Sequence, residues 1–194
     1  NYFYHNSDVT IDLNSNKIEV HKSNKDLFKV TLVDTGLNTK TAGRIKRIKE
    51  YIKPGESFML TYGDGVADIK INELVQFHNS HDKIATVTSV QPAGRFGSLD
   101  VDNNMKVNKF IEKPIGDGYW INAGFFVLNY EVFDYLNGNF DEVMWEDSPL
   151  ENLAKNNQLF CFKHNGFWKC MDALRDKQEL ERIWTNGKAK WKIW

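Results

Sequence analysis

The 194 residues hold little cysteine, little proline and almost no excess charge. Two cysteines, Cys161 and Cys170, are close enough to bridge but too few to staple a secreted domain, and fit a reduced cytoplasmic protein better. Four prolines and the lack of a low-complexity tract argue against a disordered linker. A formal net charge of −1 offers no basic face for DNA or RNA, so no nucleic-acid partner is expected. No apolar run approaches a membrane span and no signal peptide opens the chain, so no membrane partner is expected either. Five histidines form no metal spacing; His78 and His81 lie three apart among polar neighbours only. What the chain does have is a 41% hydrophobic, 13% aromatic composition, enough for one domain with a core of its own.

Periodicity predicts the elements. Val9, Ile11 and Leu13, then Ile18 and Val20, alternate around Asn-Ser-Asn and predict a hairpin; "FKVTLVDT" predicts a strand over 28–34. Ile45, Ile48 and Ile52 share one face of a helix with Thr41 as its N-cap. A strand follows over 57–62, then a helix over 71–78, a β-branched strand in "KIATVTSVQ", two strands joined by Asp-Asn-Asn, and a long strand in "YWINAGFFVLN". Past residue 130 the pattern turns helical, with Ser148 capping a helix that has Pro149 just inside. "LFCFKH" is a short strand, and a last helix turns Leu180, Ile183 and Trp184 inward and stops at Gly187. Strands alternating with helices indicate an α/β layered sheet, and the hairpins indicate that part of it is mixed.

One acid stands out. "FMLTY" reads as a strand buried on both faces, and it runs into Gly63-Asp64-Gly65. Ligands of open α/β sheets bind past the carboxyl ends of strands, glycines let backbone approach them, and a carboxylate there suits Mg²⁺ beside phosphates. An ordinary Asp-Gly turn accounts for the same residues. Asp68, four residues on, reads as a cap or flank of the helix at 71–78. Asp172, just before the last helix, reads as an N-cap, which does not exclude a metal because phosphates gather at helix N-termini. In "KFIEKPIGDGYWINAGFF", Lys113 offers a mobile cation for phosphate, Glu112 an acceptor for hydroxyls and Asn122 both donor and acceptor; a solvated Glu-Lys pair before a turn is the plainer alternative.

Taken together and in order, "VTLVDTG", "TAGRIKRIKEYI", "FMLTYGDGVADI", "PAGRFGSLD", "FIEKP", "INAGFFVLN", "WEDSPLENLA", "GFWKCMDALRDK" and "GKAKWKIW" resemble the sugar-nucleotide pyrophosphorylases, from about residue 8 onward. "VDTG" with the tail "WKIW" points to their cytidylyl branch. The resemblance implies a Rossmann-like, three-layer fold with a mixed, mostly parallel sheet, forming a single domain over 1–194 with a C-terminal helix and tail over 173–194. It implies attack of a sugar 1-phosphate oxygen on the α-phosphate of a nucleoside triphosphate with expulsion of pyrophosphate, here CTP and glucose 1-phosphate, in nucleotide-sugar synthesis for surface polysaccharide. By position, Asp64 and Asp172 would hold Mg²⁺. Gly63, Gly97, Glu112, Lys113, Asn122 and Ala123 would hold the sugar phosphate. Lys113 would meet the phosphate as a catalytic group beside Asp64, and Arg44 would reach phosphate oxygens. A homo-oligomer is implied by the family and by the apolar tail.

The family's Gly-Gly-x-Gly-Thr-Arg loop, which cradles the triphosphate, is not among these residues. "NYFYHNSD" reads as the end of a helix begun upstream, so an N-terminally truncated chain is expected, inactive or nearly so by itself. Ala42 and Ala123 stand where glycine is expected. Three alternatives stay open: a non-catalytic sugar-phosphate or nucleotide-sugar binding module, a thymidylyl- or uridylyltransferase of the same family, and a related glycosyltransferase, whose usual Asp-x-Asp is missing from "GDGVAD".

Overall fold

The structure, a computed structural model, describes residues 7–23, 29–92, 98–111 and 119–192. The chain divides into two compact units, residues 1–34 and 35–194. In the first, β1 (Ser7–Asp12) and β2 (Lys17–Ser23) form the expected antiparallel hairpin, with Ile11 opposite Ile18. Asp12 closes its turn by accepting the Ser15 hydroxyl and the Asn14 and Ser15 amides, and these bonds hold its carboxyl below the usual range. The strand expected over 28–34 does not form within the described residues 29–34. Val30 and Leu32 are 64% and 91% exposed, and alternation alone makes no strand without a ladder partner.

The second unit is built on a four-stranded sheet in the order β3 (Ser57–Thr61), β8 (Ile121–Asn129), β5 (Ala85–Val90), β9 (Leu159–Lys163). β8 runs antiparallel to both neighbours while β5 and β9 pair in parallel, so β3, β5 and β9 share one direction and β8 opposes them. β8 carries the core. Phe126 and Leu128 point into a cluster with Ala42, Ile45, Val132, Phe133, Leu136, Trp145 and Leu153; Phe125 and Val127 point the other way, against Leu74. Period-two alternation thus packs helices on both faces, giving the three layers expected of the family.

On one face lie α1 (Thr41–Arg47), the 3₁₀ segment Tyr130–Leu136 and α3 (Ser148–Lys155); on the other lies α2 (Ile71–Asn79). The helix expected from Thr41 to Lys53 stops at Arg47 and re-forms as a 3₁₀ turn at Lys49–Tyr51, yet Ile45 is buried and Ile52 packs on the core. Neither expected cap bonds its helix. Thr41 begins α1 and instead accepts the Trp145 amide at 2.7 Å, while Ser148 is the first residue of α3. β3 is an edge strand among the described residues, not the doubly buried one expected: Met59 is 60% exposed.

Three further pieces complete the unit. β6 (Ser98–Val101) and β7 (Val107–Ile111) form the expected hairpin, its turn closed by Asp102. β4 (Gly65–Ala67) and β10 (Trp168–Cys170) form a short antiparallel ribbon that periodicity did not predict. α4 (Leu174–Thr185) buries Leu180, but Trp184, expected inward, is half exposed and stacks on Trp191. Gly187, at φ +68, stops it as expected.

Candidate functional site

Because β8 opposes its neighbours, its first residues lie at the same sheet edge as the carboxyl ends of β3, β5 and β9. Asp64 leaves the end of β3, and Asn122 and Ala123 begin β8 beside it. The ribbon then brings in a segment distant in sequence. Cys170 pairs with Gly65, and the Met171 amide donates to the Asp64 carbonyl at 2.8 Å. Asp64 and Asp172 therefore sit on neighbouring segments at one end of the ribbon, both exposed. Asp172 does not cap α4; it precedes the N-cap residue Ala173, whose amide is bonded by Asp176 at 3.0 Å. Its Oδ2 accepts the Cys170 thiol at 3.0 Å, and burial, then this carboxylate, push that thiol up from its ordinary pKa. Among the described residues no three His, Cys, Asp or Glu side chains group as a metal cage. Two carboxylates on adjoining backbone are nevertheless an oxygen donor set of the size Mg²⁺ uses when phosphates supply the rest.

Glycine has different causes at different positions here. Gly124 lies at φ +79, and a Cβ there would come within 2.7 Å of the Tyr62 ring, so conformation and packing both require it. Ala123 is buried, its carbonyl accepting the Trp168 indole N–H at 2.9 Å, and Ala42 is fully buried in the core. At Gly63, by contrast, a Cβ would meet nothing within 4 Å and φ is not left-handed. Neither packing nor strain within the chain demands glycine at that position.

Asn122 is exposed and accepts the Gly124 amide at 2.8 Å, which orients its side chain at the start of β8. Arg44 lies on α1 and holds the loop before it, donating to Thr35 Oγ1 at 2.7 Å and to the Leu37 carbonyl at 3.2 Å. Gly97, Glu112 and Lys113 lie outside the described residues. The free thiol of Cys161 bonds Ser89 at 2.8 Å, and the two cysteines do not bridge.

Three features of the edge escaped the sequence. Tyr62 donates its hydroxyl to Glu146, which also accepts Thr41 Oγ1, tying the strand before Asp64 to the "WEDSP" segment. Burial, then the Glu146 bond, push the Tyr62 phenol well above its ordinary value, so it stays a donor. Asp68 is no helix cap; it lies 2.9 Å from His164 Nε2. Trp168 closes the edge over Ala123. An aromatic after a strand and a histidine in a loop are common, and only the ribbon gives these a shared address.

The nucleotidyl transferase family profile matches residues 7–175. The chain is 50% identical over 194 residues to the glucose-1-phosphate cytidylyltransferase of Salmonella typhi, covering all of this chain and 74% of that protein. It is 41% identical over 192 residues to a probable glucose-1-phosphate cytidylyltransferase of Bacillus subtilis, covering 98% of this chain and 72% of that one. Among solved structures, HddC from Yersinia pseudotuberculosis superposes with a TM-score of 0.52 at 22% identity, covering 76% of this chain and 64% of that chain; at that identity the likeness speaks for the fold.

Proposed function

Since the chain belongs to the nucleotidyl transferase family, we propose that it transfers the cytidylyl group of CTP to α-D-glucose 1-phosphate, releasing pyrophosphate and CDP-glucose. The observation that carries this is 50% identity to a cytidylyltransferase over all 194 residues, a span that takes in the ribbon and the segments of both carboxylates. A phosphate oxygen of the sugar attacks the α-phosphorus of CTP, the bond to the β-phosphate breaks, and no proton need move. The protein's tasks are therefore in-line positioning and neutralisation of charge.

Asp64 and Asp172 are the residues to hold Mg²⁺, which when bound offsets phosphate charge. The Cys170 thiol keeps one Asp172 oxygen oriented. Asn122 presents its amide to the sugar phosphate, with Ala123, Gly97, Glu112 and Lys113 as further contacts. Gly63, needing no glycine for its own sake, leaves room for backbone to approach a substrate. Arg44, bonded to Thr35 and Leu37, is the cation on α1 to reach phosphate oxygens. The setting is cytoplasmic nucleotide-sugar synthesis for surface polysaccharide; no helix among the described residues is long and apolar enough to cross a membrane. Met171, Leu174 and Trp184, all substantially exposed around α4, support a homo-oligomer.

The test is a nucleotide panel. The protein is given glucose 1-phosphate, Mg²⁺ and CTP, UTP or dTTP in turn. Pyrophosphate release fastest with CTP is expected. Preference for dTTP or UTP reassigns the base, and binding of sugar phosphate without release under any triphosphate supports the non-catalytic module instead.

A further inference from the structure

The segment after α4 folds back toward the ribbon that joins the two carboxylate segments. At the end of the helix Gly187, at φ +68, donates its amide to the Trp184 carbonyl, and Lys188 donates to the Ile183 carbonyl, both at 3.0 Å. This is a helix stop that reverses the chain. A second turn, closed by the Lys192 amide on the Ala189 carbonyl at 3.0 Å, presents the Trp191 ring. That ring stacks on two others. Its centroid lies 5.3 Å from Phe167 at an interplanar angle of 30°, and 6.3 Å from Trp184 of α4 at 24°. Lys192 Nζ lies 5.3 Å over the Trp184 ring, a further tie between tail and helix.

The place of Phe167 gives this stack its consequence. Phe167 immediately precedes β10, and its carbonyl accepts the Asp68 amide at 3.1 Å, which extends the β4–β10 pairing by one bond. At the far end the Met171 amide bonds the Asp64 carbonyl. Between them the ribbon has three residue pairs, and two strands that short have little stability of their own. They need holding from outside. Lys169, in the middle of β10, reaches α4 through Glu179 at 2.6 Å and Asp176 at 3.8 Å. The Trp191 stack fastens the same helix to the entry of the ribbon. Asp172 stands in the turn that joins β10 to α4, so its place beside Asp64 depends on how firmly these two elements are held together. We propose that the tail is a strap and Trp191 a positioning residue, which holds the ribbon in register against α4 and thereby keeps Asp172 beside Asp64 for Mg²⁺. The metal in this statement rests on the transferase function proposed above; the fastening does not.

The experiment measures hydrogen exchange at the Asp68 and Met171 amides, and the Mg²⁺ concentration that gives half-maximal pyrophosphate release. Wild type is compared with Trp191→Ala, Trp191→Phe and Phe167→Leu. Trp191→Ala should speed exchange at both amides about tenfold, on the order of what two aromatic contacts are worth, without speeding it at the β5–β8 amides. It should raise the Mg²⁺ requirement by a similar factor and leave KM for glucose 1-phosphate unchanged, and Trp191→Phe should restore both readings. Phe167→Leu removes the ring on which Trp191 stacks at the ribbon; it should repeat the Trp191→Ala result, and it replaces that variant if Trp191→Ala fails to fold. Unchanged exchange at Asp68 and Met171 overturns the strap. Faster exchange with an unchanged Mg²⁺ requirement overturns the positioning of Asp172. If wild type releases no pyrophosphate under any triphosphate, the transferase function falls, and exchange at the two amides alone decides the strap.

Discussion

At the scale of single residues, each site carboxylate can be separated from the fold. Asp64 and Asp172 are exposed, so Asp64→Asn and Asp172→Asn should leave the melting temperature within the small change typical of surface substitutions while cutting turnover at least about a hundredfold. Unchanged turnover in both would remove the proposed metal pair. The glycines give a complementary contrast. Gly63→Ala should cost no stability but lower kcat/KM, because its Cβ meets nothing in the chain. Gly124→Ala should cost at least about 1–3 kcal/mol in a denaturant titration, because it combines left-handed backbone with collision against Tyr62. Asp64 stands out in the sequence because glycines bracket it, and the structure sets it beside the segment that carries Asp172. Asp68 flanks α2, one of the two places the sequence offers it, but nothing local announces its contact with His164, 96 positions away.

At the scale of elements, the long periodic segments were legible and the short ones were not. β8 runs for nine residues and packs Phe126 and Leu128 on one face and Phe125 and Val127 on the other, and α2 buries Leu74 and His78 at helical spacing. The β4–β10 ribbon has three residues per strand, too few to show a period, although it joins Asp64 to the Asp172 segment. Isolated alternation misled at 29–34 for the opposite reason: a pattern without a partner strand.

The packing of α2 on β5 carries its own prediction. The Asn129 side-chain amide donates to the Lys83 carbonyl, so its oxygen accepts from His78 Nε2; Thr86 then donates to His78 Nδ1 and accepts from His81 Nε2. Every member is satisfied with both imidazoles neutral. Burial, then the neighbouring His78, lower the His81 pKa below 6.5. A base whose folded value is depressed contributes stability that is complete above its unfolded value and is lost as pH falls through that value toward the folded one. Unfolding midpoints should therefore decline as pH drops below about 6.5, and His81→Gln should flatten the decline. An equal slope in the variant would assign the acid sensitivity elsewhere.

At the scale of the whole molecule, the layered core and the sheet edge follow from one fact, the reversal of β8, which gathers the ends of four strands where the carboxylates stand. The exposed apolar side chains around α4 belong to this scale as well. Light scattering should give a mass that is a multiple of the protomer, and Leu174→Asp should lower it; a monomer at working concentration would remove the homo-oligomer from the account. The most direct test is ³¹P NMR of CTP, glucose 1-phosphate and Mg²⁺ with the protein. Diphosphate resonances of CDP-glucose growing in step with pyrophosphate are expected. CTP and sugar phosphate standing unchanged, with binding of both demonstrated, would contradict the transferase function.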